Sequence, residues 1–362
     1  MAAPGSLVAQ RNPIIQEDVA RIAAHDLPWR TFANKTVLVS GANGFLPACL
    51  VETLAWLNES DPSMHCRLIG LVRNRQKAER RFAHLLDRPG FSLAIQDVAA
   101  PLTISEPVDF IVHAASQASP KYFGADPVGT LAANTLGTYN LLSLARDCRA
   151  QGFLFISSGE VYGQVPESQI PTKEDWYGLL DPTLVRSCYA ESKRLGETMC
   201  AAFHHQFGVP ATMVRPNHTY GPGLALDDGR VFADFVANVV RREDIVLKSD
   251  GSARRAFCYL ADAVLGFFTV LLKGQPGQAY NVGNESCEAS VAELAGILVN
   301  LFPERGLRVR FEPQSQTSGY LASTVSRGSL DTGKLRQLGW RPSTGLEEGF
   351  RRTVLSCETP QA

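Results

Sequence analysis

TVLVSGANGFLPACL, residues 36–50, decides how the chain is read. A short buried-strand run, Thr36 to Ser40, passes into Gly41 and Gly44, and an apolar segment at helical spacing follows. Strand, glycine turn and helix in that order make a phosphate-binding corner. The first glycine permits the tight turn, the second lets backbone N–H groups approach a pyrophosphate, and the helix N-terminus attracts its charge. Pro47 stands where a third glycine is usual. Only close helix-to-strand packing should suffer, because proline is tolerated in the first helical turn, where its missing N–H has no intrahelical partner.

Outward from this corner the same alternation continues. RLIGLV (67–72), DFIVHA (109–114), FLFISS (153–158) and ATMVRP (211–216) read as strands too continuously apolar to have one face in water. Segments 45–58, 127–148, 187–207 and 230–241 read as helices between them, and IIQEDVARIAAHD (14–26) as an amphipathic helix laid over the domain. The pattern predicts an α/β fold: a Rossmann-type doubly wound parallel sheet with a smaller mixed α/β carboxyl-terminal lobe. Ligands of such a sheet bind at the carboxyl ends of its strands, where strand order reverses.

The 362 residues include 35 Lys+Arg against 36 Asp+Glu, a formal net charge of -1. No basic stripe is available for nucleic acid, so a small-molecule partner is expected. Eight cysteines lie scattered without a CxxC pair, which predicts neither a disulfide framework nor a metal site and fits a reducing cytoplasm. AVLGFFTVLL (263–272) is too short to span a bilayer, and the amino terminus lacks an apolar core behind a basic start. We expect a soluble chain with no membrane partner.

The chemistry concentrates in SSGEVYG (157–163) and YAESK (189–193). Tyr189 and Lys193 are spaced i, i+4 and share a helical face. A phenol of ordinary pKa about 10 is a poor base, and a nearby ammonium favours its ionised form. Such a tyrosine can take a hydroxyl proton while the carbon beneath gives hydride to a nicotinamide. In extended chain the side chains of Ser158 and Glu160 point the same way, so both are expected to face the site. Arg73, Asn74 and Arg75 follow the second strand where a ribose-binding acid often stands, which leaves NADP open beside NAD, and Asp97 and Val98 would meet the adenine edge.

With SGANGFLP, DFIVHAAS, NTLGTYNLL, SSGEVYG, YAESK, NHTYGPG, YNVG and LDTGKLRQLGWRP in place, the chain from about 35 to 350 resembles the extended short-chain dehydrogenase/reductases of the nucleotide-sugar epimerase/dehydratase type. ASPKY (118–122), SCYAESKRLGET (187–198), LDDGRVFADFV (226–236) and RRAFCYLADA (254–263) look closest to the UDP-glucuronate decarboxylases. The resemblance implies tightly bound, internally recycled NAD held by Gly41, Asn43, Gly44, Phe45, Leu46, Arg73, Asp97, Val98, Ala114, Ala115, Ser116, Asn134, Tyr189 and Lys193. It implies a UDP-sugar held by Tyr122, His218, Arg230, Arg255 and Arg327, catalysis by Ser158, Glu160, Tyr189 and Lys193, and a homodimer packed through 127–148 and 187–207. Three regions are then expected: a helical extension at 1–34, an NAD-binding domain at 35–216 with part of the substrate loop at 164–186, and a mainly substrate-binding lobe at 217–362.

The implied cycle oxidises the sugar at C4. A C5 carboxylate then makes a β-keto acid that loses carbon dioxide, whereas CH2OH allows loss of water. Gly159 stands where the 4,6-dehydratases carry the acid that expels water, so dehydration ranks below decarboxylation and epimerisation. His218 replaces a usual asparagine, and Gly223 replaces an arginine common in the decarboxylases. A cofactor-binding sensor or scaffold without turnover is the rival of another class; Ser158, Tyr189 and Lys193 together speak against it, because binding alone does not require the trio.

Overall fold

A computed structural model describes residues 11–312 and 327–358. Residues 1–10 and 313–326, part of the expected extension and part of the expected substrate lobe, lie outside the described residues.

Six strands, β1 (Thr36–Ser40), β2 (Arg67–Val72), β3 (Phe91–Ile95), β4 (Phe110–His113), β5 (Gly152–Ile156) and β6 (Ala211–Pro216), join a late strand, Ala279–Val282, in one sheet. Its order is Ala279–Val282, β6, β5, β4, β1, β2, β3. All six pairings are parallel. The alternation inside β1 shows why the strands are apolar throughout: Val37 and Val39 enter the core on one face and Leu38 the core on the other. The chain leaves β1 in one direction to β2 and β3 and returns on the other side to β4, so the crevice opens between β1 and β4, where Ser40 pairs with His113.

The helices relevant to the site are α1 (Pro13–Ala23), α2 (Phe45–Ser60), α3 (Arg75–Arg81), α4 (Pro120–Ala125), α5 (Pro127–Asn134), α6 (Leu136–Asp147), α7 (Cys188–Phe207), α8 (Val231–Arg241) and α9 (Leu260–Lys273). The single helix expected over 127–148 is two, broken at Thr135. Thr135 has φ -110° and ψ -69°, and its hydroxyl donates to Leu131 O at 2.8 Å, a local bond that competes with helix geometry. The strand expected over 153–158 ends at Ile156, and Gly159–Tyr162 forms a 3-10 turn.

α7 is seated on β5 through Gly196, where an added Cβ would lie 2.4 Å from Phe155. Tyr189, Lys193, Gly196, Cys200 and Phe203 form its buried face. α1 lies over the domain and is tied to it by Asp18, which accepts from Tyr259 at 2.6 Å and from Arg352 at 2.8 Å. Among the described residues no helix is long and apolar enough to cross a membrane.

Candidate active site

The glycine corner stands at the carboxyl end of β1. Gly41 has φ +64°, and a Cβ there would lie 2.7 Å from Ala115 Cα, so only glycine lets the two loops meet. Gly44 is the N-cap of α2 and places no side-chain cap over the first-turn N–H groups. With Pro47 lacking an N–H, the first-turn donors left facing outward are those of Phe45 and Leu46. Across the crevice the Ser40 hydroxyl accepts from Ala114 N and Ala115 N, each at 3.1 Å, and contacts His113 Nδ1 at 2.8 Å. Beyond them Ser116 Oγ is buried without a partner among the described residues. Free helix-terminal donors and an orphaned hydroxyl around a glycine turn fit the pyrophosphate of a dinucleotide.

The other nucleotide-side residues spread from this corner. Asp97 accepts from Ala99 N at 2.9 Å, and the buried Val98 side chain packs against Gly137. Asn134 is buried and donates to Ser192 Oγ at 3.0 Å, which in turn donates to Tyr189 O at 2.9 Å. Exposed Arg75 is held along α3 by Glu79 at 3.3 Å, and Arg73 faces Asp126 electrostatically.

Tyr189 is 6% exposed and stacks on Phe123 of α4, ring centroids 4.9 Å apart. Burial pushes its phenol up to about 12; Ser158 within hydrogen-bonding reach, Arg230 and Arg186 pull down, and Glu160 pushes up. This corrects the expectation that Lys193 ionises the phenol. The Lys193 ammonium donates to Ile156 O at 2.7 Å and lies 5.8 Å from the Tyr189 ring centroid. Sharing a helical face brings the two side chains together, but a buried ammonium takes the nearest strong acceptor, here a carbonyl at the end of β5.

Burial also depresses Lys193 to about 7, with Glu197 acting the other way. Between about pH 7 and the ordinary lysine value near 10.5, the unfolded chain therefore holds a proton at this site that the folded chain lacks. Stability contributed by the site rises with pH through that window by about 1.4 kcal/mol per unit at most. Urea unfolding of ligand-free parent and Lys193→Met proteins at pH 6.5 and 9 should show the parent gaining relative to the variant. A constant difference would mean that the amine is not buried as described.

Glu160 departs from expectation as well. In its 3-10 turn it does not share Ser158's extended geometry; both carboxylate oxygens contact Arg186 Nη2 at 3.0 Å. Arg186 was not singled out by the motifs, although its place three residues before Tyr189 puts it on the turn that opens α7. His218 sits at φ +38°, and burial, with Arg255 and Arg230 nearby, drives it down to about 3. It is a neutral imidazole at physiological pH and offers a hydrogen bond rather than charge to a ligand.

Remaining substrate-side residues come from short elements around the crevice. Strands Arg254–Ala256, Glu288–Ser290 and Arg327–Gly328 form a small sheet. Gly328 brings His218 and Arg255 together: a Cβ there would lie 3.3 Å from His218 Nε2 and 3.5 Å from Arg255 Cδ. Arg327 is engaged by Glu288 at 2.9 Å and Glu167 at 2.7 Å, Arg230 is paired with Asp228, and Tyr122 is 37% exposed beside Lys121. Lys121 also donates to Asp227 O at 2.8 Å, joining α4 to the 224–230 loop. At Gly223 a Cβ would lie 2.7 Å from Arg81 Nη2, so an arginine from α3 fills the space left by the missing side chain. Among the described residues no group of His, Cys, Asp or Glu is disposed to hold a metal ion.

Residues 37–283 match the NAD dependent epimerase/dehydratase family. UDP-glucuronic acid decarboxylase 1 of Danio rerio is 34% identical over 320 residues, covering 88% of this chain and 72% of that protein. Its namesake in Arabidopsis thaliana is 33% identical over 319 residues, covering 88% of this chain and 68% of that protein. The structure of UDP-glucuronic acid 4-epimerase from Bacillus cereus, in complex with NAD, shares the fold with a TM-score of 0.72 at 20% identity, over 89% of this chain and 98% of that one. A parallel sheet with a glycine corner at its switch point, a tyrosine and lysine on the adjoining helix, and a match across most of the length converge: the chain belongs to the NAD dependent epimerase/dehydratase family.

Proposed function

We propose that the chain is a lyase, a UDP-glucuronate decarboxylase working through a 4-keto sugar. The observation that carries the reading is the Tyr189 phenol beside Ser158, at the crevice that the glycine corner and Ser116 prepare for a dinucleotide. NAD would be held by the N–H groups of Phe45 and Leu46, with Ser116 and the backbone at Val98 along its length. When bound, its nicotinamide supplies the hydride acceptor and returns the hydride. Tyr189 takes the proton of the C4 hydroxyl, and Ser158 orients that oxygen. Once C4 is a ketone, a carboxylate at C5 is β to it and leaves as carbon dioxide, the electron pair settling on the C4 oxygen near Ser158 and Tyr189. Glu160 supplies a carboxylate for positioning or proton transfer at the sugar. Tyr122, His218, Arg230, Arg255 and Arg327 would line the diphosphate and sugar, with residues 35–216 holding the cofactor and much of 217–362 the substrate.

Decarboxylation is favoured over 4,6-dehydration by Gly159. A Cβ there would meet Asn217 at 3.5 Å, ordinary contact, so a small acidic side chain is not sterically barred; the acid is simply absent. The test is product mass. Incubated with UDP-glucuronate and NAD, the protein should release carbon dioxide and leave a UDP-pentose; unchanged mass would make it an epimerase, and no turnover of any UDP-sugar would remove the enzymatic reading.

A homodimer and a cytoplasmic location complete the proposal. Val128, Leu136 and Tyr139 of α5 and α6 and Leu195 of α7 are exposed, and packing two copies through these helices would cover them. Sedimentation equilibrium should give twice the chain mass; a monomer at micromolar concentration would remove this part. All eight cysteines are free thiols, as a reducing compartment requires.

A further inference from the structure

Arg186 occupies the 3-10 turn Val185–Ser187 immediately before α7. Its guanidinium carbon lies 4.7 Å from the centroid of the Phe123 ring, and Phe123 in turn stacks on Tyr189 at an interplanar angle of 21°. This column holds the guanidinium against Phe123, the ring on which the candidate acid/base stacks. Arg186 and Glu160 both lie close enough to Tyr189 to act electrostatically on its phenol.

The pairing is lopsided. Both Glu160 oxygens converge on one nitrogen, Nη2, at 3.0 Å. A carboxylate matched to the guanidinium fork would instead take two parallel N–H bonds from two nitrogens. Arg186 Nε is buried with no hydrogen-bond partner among the described residues, and a buried donor left unpaired costs about 1–3 kcal/mol. Glu160 does not use the guanidinium fully, and a second acceptor would relieve the deficit.

We propose that Arg186 is a specificity-determining residue that receives the carboxylate of an acidic sugar on the guanidinium donors that Glu160 leaves unused. The inference rests on the reading above, in which a nucleotide sugar lies with C4 over Tyr189. A neutral CH2OH group at the same place would bring one weaker acceptor and no charge. The interaction is a ground-state one, because the carboxylate's charge passes to the C4 oxygen as neutral carbon dioxide leaves; it favours binding of the acidic sugar and not the bond-breaking step.

The test uses the full-length chain carrying Tyr189→Phe, so that bound sugar is not turned over, loaded with NAD and titrated calorimetrically with UDP-glucuronate and with UDP-glucose. A charge-assisted pair of this kind should give roughly a tenfold to hundredfold preference for UDP-glucuronate. Adding Arg186→Gln should abolish the preference while moving UDP-glucose affinity less than about threefold, the scatter expected of a residue that does not touch it. Adding Arg186→Lys, which keeps a cation but loses the planar fork and the stack, should retain only part of the preference. Equal weakening for both sugars, or a preference that survives both substitutions, overturns the proposal. Carbon dioxide release by the parent protein reports separately. Decarboxylation with an Arg186-independent preference refutes this residue and leaves the reaction standing; an Arg186-dependent preference without carbon dioxide release refutes the reaction and leaves the carboxylate site standing.

Discussion

Tyr189→Phe is expected to lower turnover of UDP-glucuronate by about 10²–10⁴-fold, the usual contribution of a positioned acid/base. The phenol is the one titratable oxygen that Ser158 supports at the end of β5. In the proposed cycle its removal takes away the group that accepts the C4 proton. The ring is buried against Phe123, so phenylalanine preserves the stack and the fold, and affinities for NAD and UDP should stay within about threefold. A phenol held near 12 is protonated at neutral pH before ligands bind. Bound NAD would supply the positive charge that favours the phenolate, and the parent protein's activity should fall steeply with acid once both ligands are in place. Turnover within tenfold of the parent would assign the proton transfer to another residue.

Much of this arrangement was legible in the sequence. Strand and helix runs obey strict periodicities, and both faces of the sheet are buried, so TVLVS, RLIGLV and ATMVRP announced themselves. Gly41 was legible for a related reason, since a positive φ and a close approach to Ala115 admit little else, and Gly44 by its place at the mouth of α2. What eluded the sequence was direction at distances beyond one turn of helix. Spacing placed Tyr189 and Lys193 on one face, yet the ammonium turned to the Ile156 carbonyl. Glu160 lost its expected register with Ser158 because the strand ended early, and Arg186, which claims its carboxylate, lies 26 residues away in sequence. Nor does a motif reveal that Arg81 fills the space at Gly223, a contact between segments far apart in the chain.

Arg215→Met is expected to destabilise the protein by about 3–5 kcal/mol, because it strands a carboxylate whose side chain is only 12% exposed. Arg215, 6% exposed, grips Glu197 in two places, Nε to Oε1 at 2.9 Å and Nη2 to Oε2 at 2.6 Å. Its third nitrogen donates to Tyr162 Oη at 2.9 Å and Glu174 O at 3.0 Å. Tyr162 passes its proton bond to Asn281 on the late strand at 2.5 Å, and Ser157 completes the shell of Glu197 at 2.5 Å. One guanidinium thus ties α7, β6, the late strand and the loop before α7 beneath the candidate catalytic helix. Urea unfolding at neutral pH measures the loss, and a value below about 1 kcal/mol would mean that water reaches Glu197. Replacing both partners, Glu197→Leu with Arg215→Met, should recover most of the stability, since apolar pairs of similar volume often match buried ion pairs. Turnover should not recover with it. Glu197 is the anion that raises the proton affinity of Lys193 against burial, and without it the amine sheds more of its charge at neutral pH and weakens its bond to the Ile156 carbonyl, which holds the end of β5 beside Ser158.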